Sequence, residues 1–549
     1  MASACWTCRL RKKKCDRARP VCMSCAKLRI GCNYSRVKPE WMDGSEKQAE
    51  MTRTIKARIR QGTAAVDDKD FAVQVFPLRE TLSSQRQPEE SKTATGSDGS
   101  TPGLDPSITN ETDDFLMSLY LDTVFPCLFP WYQPQTLAGG RSWLLTILKT
   151  QQAAFHAAIS LSAYYFTRLL ARDAQHILGT PCEQELWDAW TSHMDLSMKL
   201  IRQDLSDINV GCRQADIFHS TRVLDGIVHL LIFEASIAKT GDWNLHLTAA
   251  LSQLDSIFQV HGVKDGKYHL HSLLLNMQLP SIFNGTKLGH HIWSADQTSF
   301  QFSTAILIYA DIIASFCLRE APRLRHCHNS LIAGSGGTPA TQAEQLIHIE
   351  HYFGCYGWAF ILIGDISSLD AWKLATVLYG GGGLDELVAR EKELEMRLYQ
   401  GLANLGTVPE SCKLPGKPNQ SDQYVLVTKL WLHAGLIYLS NVVRGWHPTH
   451  PAIRTNIHAA LKIVKVLTSN FGLRCPMWPL CVAGCMATDD EELEVRHIMT
   501  ELPPIQSFGA NKEVLNIMEG AWHRRGQFED DHWNLADHFR DHGPSILLI

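Results

Sequence analysis

Residues 5–32 read CWTCRLRKKKCDRARPVCMSCAKLRIGC, and one spacing occurs in them twice: Cys5-x2-Cys8-x6-Cys15, then Cys22-x2-Cys25-x6-Cys32, with six residues between the copies. The stretch holds six of the chain's sixteen cysteines. Met1–Lys14 is basic and has no apolar run to serve as the core of a secretory signal, so an extracellular disulfide framework is not expected. Thiolates in a reducing compartment instead capture a borderline-soft metal, and close Cys-x2-Cys pairs suit tetrahedral zinc. One four-coordinate ion would leave two of the six thiols idle. Two zinc ions need eight ligand positions, which six thiolates fill only if two of them bridge. The internal symmetry nominates the first cysteine of each copy. One ion then takes Cys5, Cys8, Cys15 and Cys22, and the other takes Cys5, Cys22, Cys25 and Cys32.

With this spacing complete, and with Arg9, Lys12, Lys14, Asp16 and Pro20 at accessory positions, the segment resembles the fungal binuclear zinc cluster transcription factors. The resemblance implies the same bridging pattern and a double-stranded DNA target built from CGG-type triplets. It also implies that the residues matching Arg11 and Lys12 reach base edges.

Charge leads to a similar expectation by another route. Residues 1–38 carry eleven Lys and Arg against the single acid Asp16. Two zinc ions on six thiolates subtract two charges, leaving about +8 on a very small module, which is a footprint for phosphate. Arg9-Leu10-Arg11-Lys12-Lys13-Lys14 holds five cations in six positions, whereas Ala26-Lys27-Leu28-Arg29-Ile30-Gly31 holds two. The first inter-cysteine stretch is therefore expected to form the helix that enters the major groove, with the second as its support. Arg or Lys against guanine O6 and N7 is worth about 1–3 kcal/mol of discrimination. Arg9, Lys13 and Lys14 are expected to hold phosphates, which position the protein without reading sequence. For any one of these cations the alternative is a solvated charge or part of an import signal.

Beyond residue 38 the character changes. Residues 39–62 form a tether and a basic helix in which Met51, Ile55 and Ile59 recur every four residues. This stripe is compatible with a short homodimerising helix over residues 46–61 and with a basic linker helix; it falls short of the heptads of a sustained coiled coil. Residues 63–111 are rich in Ser, Thr, Gly, Pro and acids, the composition of a disordered linker. Residues 1–60 sum to +11, so a chain of net charge −5 leaves −16 for residues 61–549. An acidic body fits protein partners better than a second nucleic-acid surface.

Residues 112–545 carry apolar residues near a 3.6 period in segment after segment, among them Gln152–Ala174, Gln214–Ala238, Thr298–Glu320, Gln345–Ile363 and Gln423–Val443. No alternating strand pattern with hairpin turns is present. Phe302–Leu318 is mostly apolar but contains Asp311, and a buried core helix is expected there, not a membrane span. Asp114-Phe115-Leu116-Met117, Gly241-Asp242-Trp243-Asn244-Leu245-His246-Leu247, Gly354-Cys355-Tyr356-Gly357-Trp358 and Trp478-Pro479-Leu480-Cys481 resemble, in order, the second type of fungal-specific transcription factor domain. That resemblance implies an all-helical regulatory region without a catalytic role. The expected fold class is thus a small binuclear zinc cluster finger with two short helices, a disordered linker and a large all-α regulatory domain.

No enzyme signature stands against this. The glycine runs Gly334–Gly337 and Gly380–Gly383 lack the lysine and strand-to-helix setting of a phosphate loop. His348-Ile349-Glu350-His351 lacks the spacing of a zinc protease helix and reads as a partly exposed helix face, and His326-Cys327-His328 has no further ligand near it. Cys481 and Cys485 read as small buried hydrophobes. Phe528–Phe539, an acidic-aromatic segment, and the acids from Glu89 to Asp114 are the candidate contacts for transcriptional coactivators. For Phe528–Phe539 the alternative is a terminal amphipathic helix packed on the body. The expected function is that of a nuclear DNA-binding regulator of RNA polymerase II promoters, an activator of a metabolic or secondary-metabolite gene set. The alternatives are a repressor and a zinc-stapled protein–protein adaptor.

Overall fold

The computed structural model describes residues 4–15, 22–26, 42, 48 and 52–53, and then 111–135, 139–173, 181–210, 216–237, 242–264, 266–277, 293–332, 346–378, 383–406, 420–471, 476–501, 510–525, 535–542 and 546–548. They belong to two compact units, residues 1–103 and 104–549. In the first, two short helices are described, α1 (Trp6–Leu10) and α2 (Met23–Ala26), as expected for a finger of this size. Cys32, Asp16, Pro20 and the Met51–Ile59 stripe lie outside the described residues, as does most of the linker.

The second unit is a helical body, in agreement with the periodicity. Its earlier helices are α3 (Glu111–Leu119), α4 (Phe125–Leu128), α5 (Ser142–Thr150), α6 (Gln152–Asp173), α7 (Pro181–Val210), α8 (Ile217–Ile237), α9 (Trp243–His261) and α10 (Leu270–Asn276). Then come α11 (Ala295–Leu318), α12 (His328–Leu331), α13 (Glu350–Phe353), α14 (Gly357–Leu378), α15 (Leu384–Asn404) and α16 (Gln420–Arg444). The chain closes with α17 (Pro451–Phe471), α18 (Met477–Cys485), α19 (Asp490–Glu501), α20 (Ala510–Arg524) and α21 (Leu535–His542).

Helix α11 organises this body because it is apolar on every face and so must be covered on every face. From Phe302 to Cys317 each of its residues is buried. Helices α5, α8 and α9 pack on it from earlier in the chain, and α14 and α21 from later. It and α16 are long and apolar enough to cross a membrane, yet both are enclosed within the body. The helix starts ahead of the expected Thr298 because a reciprocal capping box fixes its entry: Ser294 Oγ accepts the Gln297 N–H at 3.3 Å, and Gln297 Oε1 accepts the Ser294 N–H at 2.8 Å. Asp311, the carboxylate inside the apolar run, is reconciled with burial by the turn that follows the helix. Its Oδ2 accepts the Leu324 N–H at 2.8 Å.

The helix ends on Arg319, in the left-handed region at φ 56°. From there the guanidinium reaches both oxygens of Asp370 on α14, at 3.1 and 2.8 Å, and Asp537 on α21 at 2.8 Å. Burial opposes its charge, but the two carboxylates win and raise its pKa above the ordinary value. This clamp draws the C-terminal helix into the core. Leu535, Ala536 and Phe539 are buried, and the Phe539 ring meets Phe316 edge-on at 4.9 Å. The described part of the acidic-aromatic C-terminal segment is therefore a packed helix.

Two details depart from the periodicity. Gln345–Ile363 was expected to be one helix, but the chain forms α13, turns at Gly354 and restarts as α14. Gly354 has φ 75°, and a Cβ there would lie 2.6 Å from the Trp131 indole, so both backbone and neighbour demand glycine. A two-residue hairpin is also present, with Val263 opposite Tyr268 and Gly266 in its turn at φ 71°. Strands of two residues are too short to display alternation.

Replacing Arg319 by Leu takes the guanidinium from enclosed Asp370 and from Asp537, which keeps its bond from Arg540 at 2.9 Å, and should cost about 3–5 kcal/mol; a thermal midpoint unchanged from the parent protein would contradict the clamp. Asp225 on α8 supplies a second test. It is buried, with Ser303 Oγ donating at 2.8 Å and Gln151 Nε2 at 3.3 Å, and burial, opposed only in part by these bonds, pushes its pKa up to about 7. Between the unfolded value near 4 and the folded one, the native state holds a proton that the unfolded state has lost. Stability from this group therefore falls as pH rises through that window, by an amount on the order of 4 kcal/mol. Asp225→Asn should be more stable than the parent at pH 8, with the gap closing towards pH 5; parallel pH profiles of the thermal midpoint would refute this.

Candidate metal centre and nucleic-acid interface

Cys5 stands at the N-cap of α1 in extended backbone, and its sulfur accepts the Cys8 N–H at 3.2 Å. Five helical residues then carry Cys8 round to the same side, while Cys22 precedes α2 and Cys25 lies within it. The result is a knot of sulfur. Cys5 lies 3.9 Å from both Cys22 and Cys25, and Cys8 lies 3.4 Å from Cys22 and 3.7 Å from Cys25. The sulfurs of Cys5, Cys8, Cys15 and Cys22 all lie within 4.8 Å of one another. Bonds of 2.3 Å to a tetrahedral zinc place sulfurs about 3.8 Å apart, so the donor set has the right chemistry and the right spread. None of the cysteines whose side chains are described forms a disulfide. Burial and then the Cys22 sulfur raise the Cys8 thiol; at Cys22 burial also acts upward, but hydrogen bonds from Cys8 and the Cys25 backbone outweigh it and lower the pKa.

The cations are arranged differently from a continuous basic helix. Helix α1 stops at Leu10, Arg11 is its C-cap, and Lys12 turns into the left-handed region at φ 51°. The Lys12 N–H bonds the Arg9 carbonyl at 3.1 Å and the Lys13 N–H bonds the Cys8 carbonyl at 3.0 Å, the two bonds of a Schellman motif with lysine where glycine is usual. Lys12, Lys13 and Lys14 therefore leave the helix end as an exposed strip. Arg9 is exposed on α1, with its guanidinium 4.6 Å from the centre of the Trp6 ring. Arg11 is half-buried, and its Nη1 reaches the Ser24 carbonyl at 3.4 Å, while Ser24 Oγ donates to the Lys14 carbonyl at 2.8 Å. Ser24 thus ties the basic strip to the second half of the finger. The Arg9–Trp6 pair is legible in an i, i+3 spacing, whereas nothing in the residues around Ser24 announces its role.

Several described thiols of the helical body are buried in apolar surroundings. Cys317, Cys481 and Cys485 are buried; desolvation pushes Cys317 up to about 12, and desolvation with the neighbouring Cys485 pushes Cys481 well up. Cys327 is buried too, and the imidazole of His328 is pushed down to about 4 chiefly by burial.

Comparison with known proteins agrees with this geometry. The model of the fungal Zn(2)-Cys(6) binuclear cluster domain matches residues 3–40, and that of the fungal specific transcription factor domain matches residues 115–549. The chain is 31% identical to the transcription factor dibT of Pestalotiopsis microspora, covering 100% of this chain and 99% of that one. It is 25% identical to the pestheic acid cluster transcriptional regulator 3 of Pestalotiopsis fici, covering 96% of each. It is also 25% identical to the ustiloxin B cluster transcription factor ustR of Aspergillus flavus, covering 95% of this chain and 93% of that one. No solved structure matches.

The left-handed lysine makes a prediction about backbone alone. Lys12→Gly should hold its metal against a competing chelator better than Lys12→Ala, by about 1 kcal/mol, because only glycine adopts this turn without a Cβ clash. Equal chelator resistance in the two variants would mean that the turn is not made.

Proposed function

Because the chain belongs to the fungal Zn(2)-Cys(6) transcription factors that carry a fungal-specific transcription factor domain, we propose that it recognises CGG-type triplets and activates a secondary-metabolite gene set. Binding of DNA through a domain that holds two zinc ions, and a regulatory and not an enzymatic role, come with membership. The finer assignments are ours. Cys5, Cys8, Cys15, Cys22, Cys25 and Cys32 are the thiolates that hold the metal, with Cys5 and Cys22 shared. The metal supplies the cross-link that a hydrophobic core gives a larger domain. Arg11 and Lys12 face base edges; Arg9, Lys13 and Lys14 face phosphates. The action is on RNA polymerase II promoters in the nucleus.

The observation that carries this reading is the exposed strip Lys12–Lys14, launched from a turn one residue beyond a sulfur-capped helix. Relatives named for the pestheic acid and ustiloxin B clusters support a secondary-metabolite gene set as the target. Coactivator contact falls to the acids between Glu89 and Asp114, because Asp537 of the C-terminal segment is already engaged by Arg319. Pairing of two chains through residues 46–61 completes the proposal.

Gel shifts of the full-length protein on CGG-containing and scrambled duplexes, across a series of salt concentrations, test it. Arg11→Ala or Lys12→Ala should cost about 1–3 kcal/mol on the CGG duplex and little on the scrambled one. Lys13→Ala should weaken both equally and lower the salt slope by about one. Equal losses on both duplexes for Arg11→Ala and Lys12→Ala would make these residues phosphate contacts and remove the proposed readout.

A further inference from the structure

Ser24 makes two contacts whose joint effect falls on the residues assigned to base reading. Its carbonyl accepts from Arg11 Nη1 at 3.4 Å, and its Oγ donates to the Lys14 carbonyl at 2.8 Å. We propose that Ser24 is a positioning residue for sequence readout. It acts through Arg11 and Lys12, and sets how far the finger prefers CGG-type triplets by tying both to the sulfur knot. The inference rests on the readout by Arg11 and Lys12 proposed above and adds the residue that orients it.

Sulfur sets the position of Ser24 itself. It lies in α2, with Cys22 two residues before it and Cys25 directly after it. The Cys22 sulfur is 3.4 Å from that of Cys8, and the Cys25 sulfur is 3.9 Å from that of Cys5. The basic strip is tied less directly. The Schellman bonds at the end of α1 reach the Lys13 N–H, and Lys12 stands in a left-handed turn that a residue with a Cβ adopts at a cost. The Ser24 hydroxyl takes the chain up at the next residue. Arg11 and Lys14, both engaged by Ser24, therefore bracket Lys12 and Lys13, whose side chains stay exposed.

Holding matters more for reading than for attraction. A bidentate contact to guanine O6 and N7 needs the cation in one place and one orientation, whereas a phosphate contact positions the protein without discriminating between bases. A side chain already ordered in the free protein gives up less rotamer freedom on meeting a base. The bond from Arg11 uses one of the guanidinium's five N–H donors and leaves the others for the duplex. Loss of the Ser24 hydroxyl removes no cation, so the electrostatic attraction to phosphate stays as it was. It frees the strip to sample other orientations, and the penalty falls on the specific duplex.

Gel shifts of full-length Ser24→Ala and Ser24→Thr on CGG-containing and scrambled duplexes, over a salt series and with zinc content read by native mass spectrometry, test this. Ser24→Ala should keep the parent's zinc content and salt slope. It should lower the ratio of CGG to scrambled affinity by about threefold to tenfold, the worth of one neutral hydrogen bond. Ser24→Thr, which keeps the hydroxyl, should hold that ratio within about twofold of the parent. Zinc loss or equal weakening on both duplexes in Ser24→Ala would make Ser24 a merely structural residue and overturn the proposal, as would a Ser24→Thr no better than Ser24→Ala. An undiminished ratio in Ser24→Ala, with Arg11→Ala still losing it, would overturn the role of Ser24 and leave the readout standing. A parent protein without preference for CGG would overturn both.

Discussion

Crowding of sulfur atoms at 3.4–3.9 Å is the constraint on which the DNA-binding end of this chain rests. Among the described residues of the finger, burial is confined to Cys5, Thr7, Cys8, Leu10, Cys22 and Cys25, far too little apolar surface to offset the entropy of ordering the backbone. Metal–thiolate bonding takes the place of the missing core. One consequence is mechanical. The same Cys8 that joins the sulfur knot also accepts, through its carbonyl, the bond that closes the turn at Lys12. On the proposed ligand set, metal and basic strip share a residue, so loss of the first should dissolve the second.

The helical body solves a different problem, that of enclosing charge. Asp225, Asp311 and the Arg319–Asp370–Asp537 clamp all touch α11; Asp311 is satisfied by the turn that follows the helix, the others by partners distant in the chain. Such contacts stabilise less than apolar packing of equal volume, yet breaking one partner is costly. They fix which helices meet: Asp370 brings α14 to the end of α11, and Asp537 brings α21.

Much of this was legible in the residues, for local reasons. The doubled cysteine spacing and the apolar run of α11 are short-range patterns, and each appears where the chain places it; the Ser294–Gln297 box, which starts α11 ahead of the expected Thr298, was missed. What stayed hidden depends on distant partners or on a broken local rule. The interruption at Gly354 exists because Trp131 occupies the space of a side chain there. The basic residues were expected along a helix, and a lysine in a turn that favours glycine sends them off its end instead. His348 and His351 are half-buried and exposed respectively, in keeping with the partly exposed face expected for them.

Native mass spectrometry of the full-length protein, followed in parallel by a gel shift, measures the central claim most directly. Two zinc ions per chain are expected, and duplex binding should disappear as a chelator removes them. A chain that carries one ion or none and still shifts the duplex would contradict a finger built on shared thiolates.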